Sequence, residues 1–145
     1  MAKLALLICL ASTLFMTGVI WFVQVVHYPL FDRVKTEAFR RYHADHSRLT
    51  TYVVMVPMTL ELLSSLALVV QRPSGSSREL TLLGFGLALS TWVITFLKSV
   101  PAHERLGHGF DSSIHRQLVR SNVARVVAWT AHSVVVLVMT ARTMD

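Results

Sequence analysis

The sequence predicts an all-α protein: four transmembrane helices in an antiparallel bundle, with a short amphipathic interfacial helix between spans 1 and 2. Three observations carry this. The 145 residues are 53% hydrophobic and only 15% charged, with a mean hydropathy of +0.53, whereas an ordinary soluble domain is roughly 25% charged. The apolar excess falls into four runs, 4–26, 50–70, 80–97 and 123–141. Each is close to the ~20 residues that carry a helix across the hydrocarbon core at ~1.5 Å per residue. Together the runs nearly exhaust the chain, so residues 1–145 read as a single integral membrane domain with no room for a separate soluble unit.

The first run follows Lys3 and is longer than the roughly 7–15-residue apolar region of a cleaved signal, so it reads as a retained helix. It holds the only cysteine, Cys9, which excludes an internal disulfide. Beyond it, Phe31, Val34, Ala38, Tyr42, His46 and Leu49 recur at spacings of three and four. That is one face of an amphipathic helix suited to the interface. In the second run Pro57 lacks an N–H and predicts a kink that frees a carbonyl one turn earlier. The link Q-R-P-S-G-S-S-R is a short turn, with Ser76-x-x-Glu79 as a capping box opening helix 3. After helix 3, Pro101, Gly107 and Gly109 act as breakers, and Asp111 is placed to N-cap the run into helix 4.

The net charge is +6, but the basic residues flank the apolar runs instead of forming a soluble patch, so the partner they point to is a lipid bilayer and not nucleic acid. Ten of them fall in or beside the 1–2 and 3–4 connections and four on the other side. The positive-inside rule puts those two connections in the cytoplasm. The expected location is the inner (cell) membrane of a bacterium.

All seven histidines lie on the 1–2 and 3–4 connections or on spans reachable from them. Polar residues inside spans cost free energy, so their placement is informative. Asn122, Arg125, Trp129 and His132 are spaced +3, +4, +3 and share one face of helix 4. Helix 1 carries Thr13, Thr17, Gln24 and His27, helix 2 carries Pro57, Glu61 and Ser65, and helix 3 carries Thr91, Thr95 and Ser99. Four such stripes describe a bundle with its polar faces inward. Glu61 and His132 lie about 10 residues from the histidine-rich end, roughly 15 Å deep, where a lone carboxylate would be costly.

Two readings of that pair are open. In the functional one, Glu61 and His132 are a catalytic acid/base pair at the floor of a pocket. Gln24, His27, His103, Asn122 and Arg125 then bind ligand above it, and Trp129 packs there or stacks on an aromatic ligand. In the structural one, the pair is a hydrogen bond that orders helix packing. Metal ligation is a sharper idea. His43-x-x-His46 sets two imidazoles on neighbouring helical positions, and facing helices do build metal sites for a transition metal or haem. Neither HExxH nor a repeated ExxH supports it. Tyr28 and Pro29 read as an interfacial aromatic and a helix stop.

The stretch T95-F-L-K-S-V-P-A-H-E-R-L106, with N122-V-A-R125, resembles the anthrone oxygenase-like family of small four-span membrane proteins. Pro101, Leu106, Asn122 and Arg125 fit its pattern. His103 stands where asparagine is expected, and the histidine-rich interfacial segment lies outside the pattern. The likeness covers the last third of the chain. It implies a four-helix fold and, as chemistry, oxygenation of a polycyclic aromatic.

The leading functional expectation is therefore a membrane-embedded pocket for a small apolar, aromatic or redox-active molecule, with proton transfer or oxygenation as its chemistry. The alternative is a non-enzymatic assembly or accessory subunit. Transport is disfavoured, because four spans would need a homo-oligomer to supply two gated halves.

Overall fold

The computed structural model describes residues 1–144. Among these every regular element is helical. Helix α1 (Ala2–Phe22) runs on through a π-helical turn, Val23–His27, and a 3-10 turn, Tyr28–Arg33. Then come α2 (Thr36–Val70), α3 (Arg78–Ile94) with a second π-helical turn at Thr95–Ser99, α4 (Val100–Gly107) and α5 (Ser112–Arg142). Four helical stretches, Ala2–Arg33, Thr36–Val70, Arg78–Gly107 and Ser112–Arg142, are long and apolar enough to cross a membrane. Their outer surfaces carry large exposed apolar side chains such as Leu7, Phe15, Val56, Leu63, Leu83, Phe96 and Val134.

The helices form a closed ring. α1 packs against α2 and α5, and α3 packs against the same two, while the backbones of α2 and α5 do not touch. Whatever joins α2 to α5 must do so through side chains across the centre.

All four stretches exceed the ~20 residues a span requires. At ~1.5 Å per residue, the 35 residues of α2 reach about 52 Å, well beyond the ~30 Å of a hydrocarbon core. This corrects the expected interfacial helix. Residues 36–49 are the opening turns of α2, continuous with its span, and not a separate element. No proline or glycine interrupts residues 36–56, so nothing ends the helix there. The buried face is also turned by about one residue. Phe39 and His43 are buried while Ala38 and Leu49 are exposed. Phe39 packs with Tyr28, Phe31, Ala102, Leu106, Ile114 and Leu118, so this face meets protein.

Two further apolar clusters lie deeper. Met16, Ile20, Met58, Val126 and Trp129 form one, and Leu6, Cys9, Leu68, Val135, Val136 and Met139 the other. α2 passes unbroken through Pro57. The opening of α3 differs from expectation by one residue. Ser77 is the N-cap, its Oγ accepting from Leu80 N at 3.3 Å. Asp111 caps α5 as expected, its Oδ1 accepting from the Ser113 hydroxyl (2.6 Å) and from the backbone N–H groups of Ser113 (2.7 Å) and Ile114 (3.1 Å). These donors hold its carboxyl below the usual carboxylate range.

At the other end, Gly75 has φ +75° and turns the α2–α3 link against the C-terminus of α5. A Cβ there would lie 2.5 Å from the Arg142 carbonyl oxygen. Gly75→Ala therefore meets both a left-handed backbone and a clash. It should destabilise the bundle by about 1 kcal/mol or more, read as a lowered melting temperature in detergent. An unchanged melt would show that this turn is free to rearrange.

Candidate functional site

The α5 stripe and its partners build the interior. Asn122, Arg125, Trp129 and His132 are all buried, as are Thr13 on α1, Glu61 and Ser65 on α2, and Thr91 and Ser99 on the third stretch. At the centre, His132 Nδ1 and Glu61 Oε1 lie 2.7 Å apart, and Trp129 Nε1 donates to Glu61 Oε2 at 2.8 Å. This is the side-chain bridge between α2 and α5. Around the imidazole stand Thr13 Oγ1, 3.4 Å from Nδ1, and Ser65 Oγ, 3.4 Å from Nε2, with Cys9 Sγ 3.3 Å beyond Ser65. Gly84 on α3 faces the ring with room for a small side chain, since a Cβ there would lie in ordinary contact, 3.6 Å from His132 Nε2. Glu61, Trp129, His132, Thr13 and Cys9 are all fully enclosed.

A second assembly sits at the histidine-rich end. The π turn Val23–His27 and the 3-10 turn after it bring His27, Tyr28 and Phe31 inward, and the π turn Thr95–Ser99 delivers Ser99 and then His103 on α4. Such turns re-aim side chains within a helix and are common at functional sites. His27 Nε2 lies 2.7 Å from His46 Nδ1, which also meets Thr50 Oγ1 at 3.1 Å. His43 Nε2 lies 3.0 Å from His103 Nδ1, and His103 Nε2 lies 3.0 Å from the Tyr28 hydroxyl. Tyr28, His103 and His43 thus form one hydrogen-bonded chain able to pass a proton along it. His115 Nε2 donates to the Tyr28 carbonyl at 2.7 Å and fixes the turn.

Between α2 and the Thr95–Gly107 segment lies a cleft of about 450 Å³, within the range of small-molecule sites. Its walls carry Tyr28, His43, His46, His103 and Arg125 beside Ala44, Thr50, Thr51, Val54, Thr95 and Val100. Of the residues expected to bind ligand, His103 and Arg125 line it; the others do not. Asn122 is used up inside the bundle, donating from Nδ2 to Gln24 Oε1 at 2.9 Å and accepting from Arg125 Nη1 at 3.2 Å. Trp129 faces Glu61. His27 borders a separate apolar groove of about 420 Å³ with Val19, Phe22, Leu49 and Val53.

Glu61 and His132 do meet, as a fully buried pair that Trp129 also bonds and that lies outside the cleft's lining. Equal depth in the sequence located the contact. It could not show that the indole of Trp129 donates to the same carboxylate.

His43 and His46 do not bond each other. Their ring centroids are 6.2 Å apart, and each bonds a different imidazole, His103 and His27 respectively. Among the described residues no group of three or more His, Cys, Asp or Glu is placed to hold a metal ion.

Tyr28, Phe31, Ser99 and His115 belong to the site, although the sequence marks Tyr28 as an interfacial aromatic, Phe31 as part of an amphipathic face and Ser99 as part of a polar stripe, and none of them as a ligand-binding residue. A signal for His115 was present. It continues the α5 stripe backwards, 115, 118, 122, 125, 129, 132, at alternating spacings of three and four. No family model matches the chain, and neither the curated proteins nor the solved structures yield a match.

Proposed function

We propose that this protein is a multi-pass membrane protein of antiparallel spans, seated in a bacterial inner membrane, that binds a small, largely apolar molecule in the cleft between α2 and α4. The observation that carries the reading is the cleft's composition. Apolar and hydroxyl-bearing walls converge on Tyr28, His43, His46, His103 and Arg125, at the histidine-rich end of the bundle. Such a mixture, a mostly apolar cavity with a few convergent polar groups, is the usual make-up of a ligand site. The Tyr28–His103–His43 chain gives the bound molecule a route for proton exchange. The two stretches that carry the anthrone oxygenase-like resemblance meet here, with Arg125 Nη1 donating to Ser99 Oγ at 3.3 Å. That is compatible with oxygenation of an aromatic substrate. Glu61 and His132 take the structural role in this reading.

Filling the cleft tests it. Thr51 is exposed on the cleft wall, so Thr51→Trp should occupy the space without disturbing the core. Mass spectrometry of detergent-purified protein should find a small molecule retained by the wild type and at least tenfold depleted in Thr51→Trp, with unchanged melting temperature. Equal retention by both would remove the cleft from consideration.

A further inference from the structure

Arg125 is the one arginine carried into the bundle. It is 7% exposed, and its surroundings are neutral. Nη1 donates to Ser99 Oγ at 3.3 Å and to Asn122 Oδ1 at 3.2 Å, and the guanidinium carbon stands 5.1 Å from the centre of the Trp129 ring. Nε is buried with no hydrogen-bond partner. Among the described residues, the ion pairs are Arg33–Asp32, Arg48–Asp45 and His132–Glu61, and none involves Arg125. Glu61, which like Arg125 meets Trp129, is already engaged by both His132 and Trp129. Glu104 also borders the cleft, but it is exposed and makes no bond to Arg125.

A guanidinium cannot shed its charge in a protein. Burying it without a counter-charge costs several kcal/mol, and neutral acceptors with one cation–π contact offset only part of that. Lysine in such a place could neutralise itself; arginine stays a fixed cation. The group is nonetheless open to the cleft, which Tyr28 and His103 border beside it.

We propose that the cleft selects molecules carrying an anionic oxygen on an apolar body, a carboxylate being the simplest case, and that Arg125 is the group that selects it. This rests on the ligand-binding reading of the same cleft and adds the charge of the ligand. The bound anion supplies the counter-charge that none of the described residues provides. Arg125 binds its oxygen, Tyr28 and His103 stand within the same wall, and Ala44, Val54 and Val100 receive the apolar body. A free aromatic acid and a lipid-derived fatty acid share this chemistry.

Matched probes separate charge from shape. 2-Naphthoate and 2-naphthamide have the same body and differ in charge, and octanoate with octanamide repeats the comparison for an acyl chain. Binding to the detergent-solubilised full chain should favour each carboxylate over its amide by at least tenfold. Whichever body binds tighter identifies the source class. Arg125→Gln should abolish the preference, and Arg125→Lys, which keeps the charge without the planar fork, should retain part of it. Thr51→Trp should block all four probes. If carboxylate and amide bind equally and both are lost in Thr51→Trp, the cleft is a ligand site and the anion selectivity is wrong. If none of the four binds, the proposal also fails. Should Arg125→Gln not fold, the carboxylate-to-amide ratio in the wild type decides alone.

Discussion

Glu61→Ala is expected to cost the bundle about 3–5 kcal/mol, the range for breaking a buried pair by removing one partner. It should cost more than His132→Ala, for a reason visible in the geometry. Glu61 is shared, with one oxygen 2.7 Å from His132 Nδ1 and the other accepting from Trp129 Nε1 at 2.8 Å. Its loss strands an imidazole and an indole N–H together, each fully buried. Loss of His132 strands one carboxylate oxygen while the other keeps its indole donor. The two losses should not add, because either removes the same contact. Glu61→Gln should be the mildest change, since an amide can accept from one neighbour and donate to the other. Replacing both residues by leucine should recover most of the stability, as apolar replacement of buried pairs often does. Unfolding in mixed micelles, followed by tryptophan fluorescence, measures these four variants and the double variant Glu61→Ala with His132→Ala. Additive losses from the two alanine variants would show that the pair does not hold α2 to α5.

How much of this was legible in the sequence follows from what each feature depends on. Span number and the inward polar stripes depend on local periodicity, and Asn122, Arg125, Trp129 and His132 are all buried at the spacing that announced them. The Glu61–His132 contact depends on depth as well, which residue counting supplies because a helix rises uniformly. The cleft depends on something else. Two π-helical turns, Val23–His27 and Thr95–Ser99, shift the register of their helices just where the histidines begin. A π turn inserts a residue into the 3.6 repeat, so a face extrapolated from the span points the wrong way beyond it. Gln24 and His27 follow from the stripe of α1 and do find partners in Asn122 and His46, but neither reaches the cleft beyond this turn. Tyr28 reads as a boundary residue, because the proline after it suggests a stop, and Phe31 as the first residue of an interfacial face. The proline instead sits at the start of a 3-10 turn that carries both rings inward. The interfacial helix was misjudged for the complementary reason. Amphipathicity shows that one face is apolar, and says nothing about whether lipid or another helix covers it.

The second large effect belongs to Phe31, the hub of the histidine end. Its ring is fully buried, with centroids 5.0 Å from His46, 5.2 Å from His27 and 5.9 Å from His43, each met edge to face. Phe39 and Tyr42 approach in the same manner, and His115 stacks on it. Phe31 touches both imidazole pairs, His27–His46 and His43–His103, through three of their four rings. Phe31→Ala removes that shared wall and leaves a cavity, costing about 3–5 kcal/mol by comparison with buried phenylalanines elsewhere. Edge-to-face contacts of ~0.5–1.5 kcal/mol each are lost on top of volume, so Phe31→Leu should recover only part of the stability. The functional consequence should be larger than the thermal one. His43 and His46 line the cleft and rest against this ring, so without it their rotamers are no longer fixed, and the Tyr28–His103–His43 chain loses its alignment. Phe31→Ala should therefore abolish retention of the bound molecule even at temperatures where the bundle stays folded, while Glu61→Gln retains it. A Phe31→Ala protein that melts within about 1 kcal/mol of the wild type and keeps its ligand would mean that the imidazoles hold one another in place without the ring.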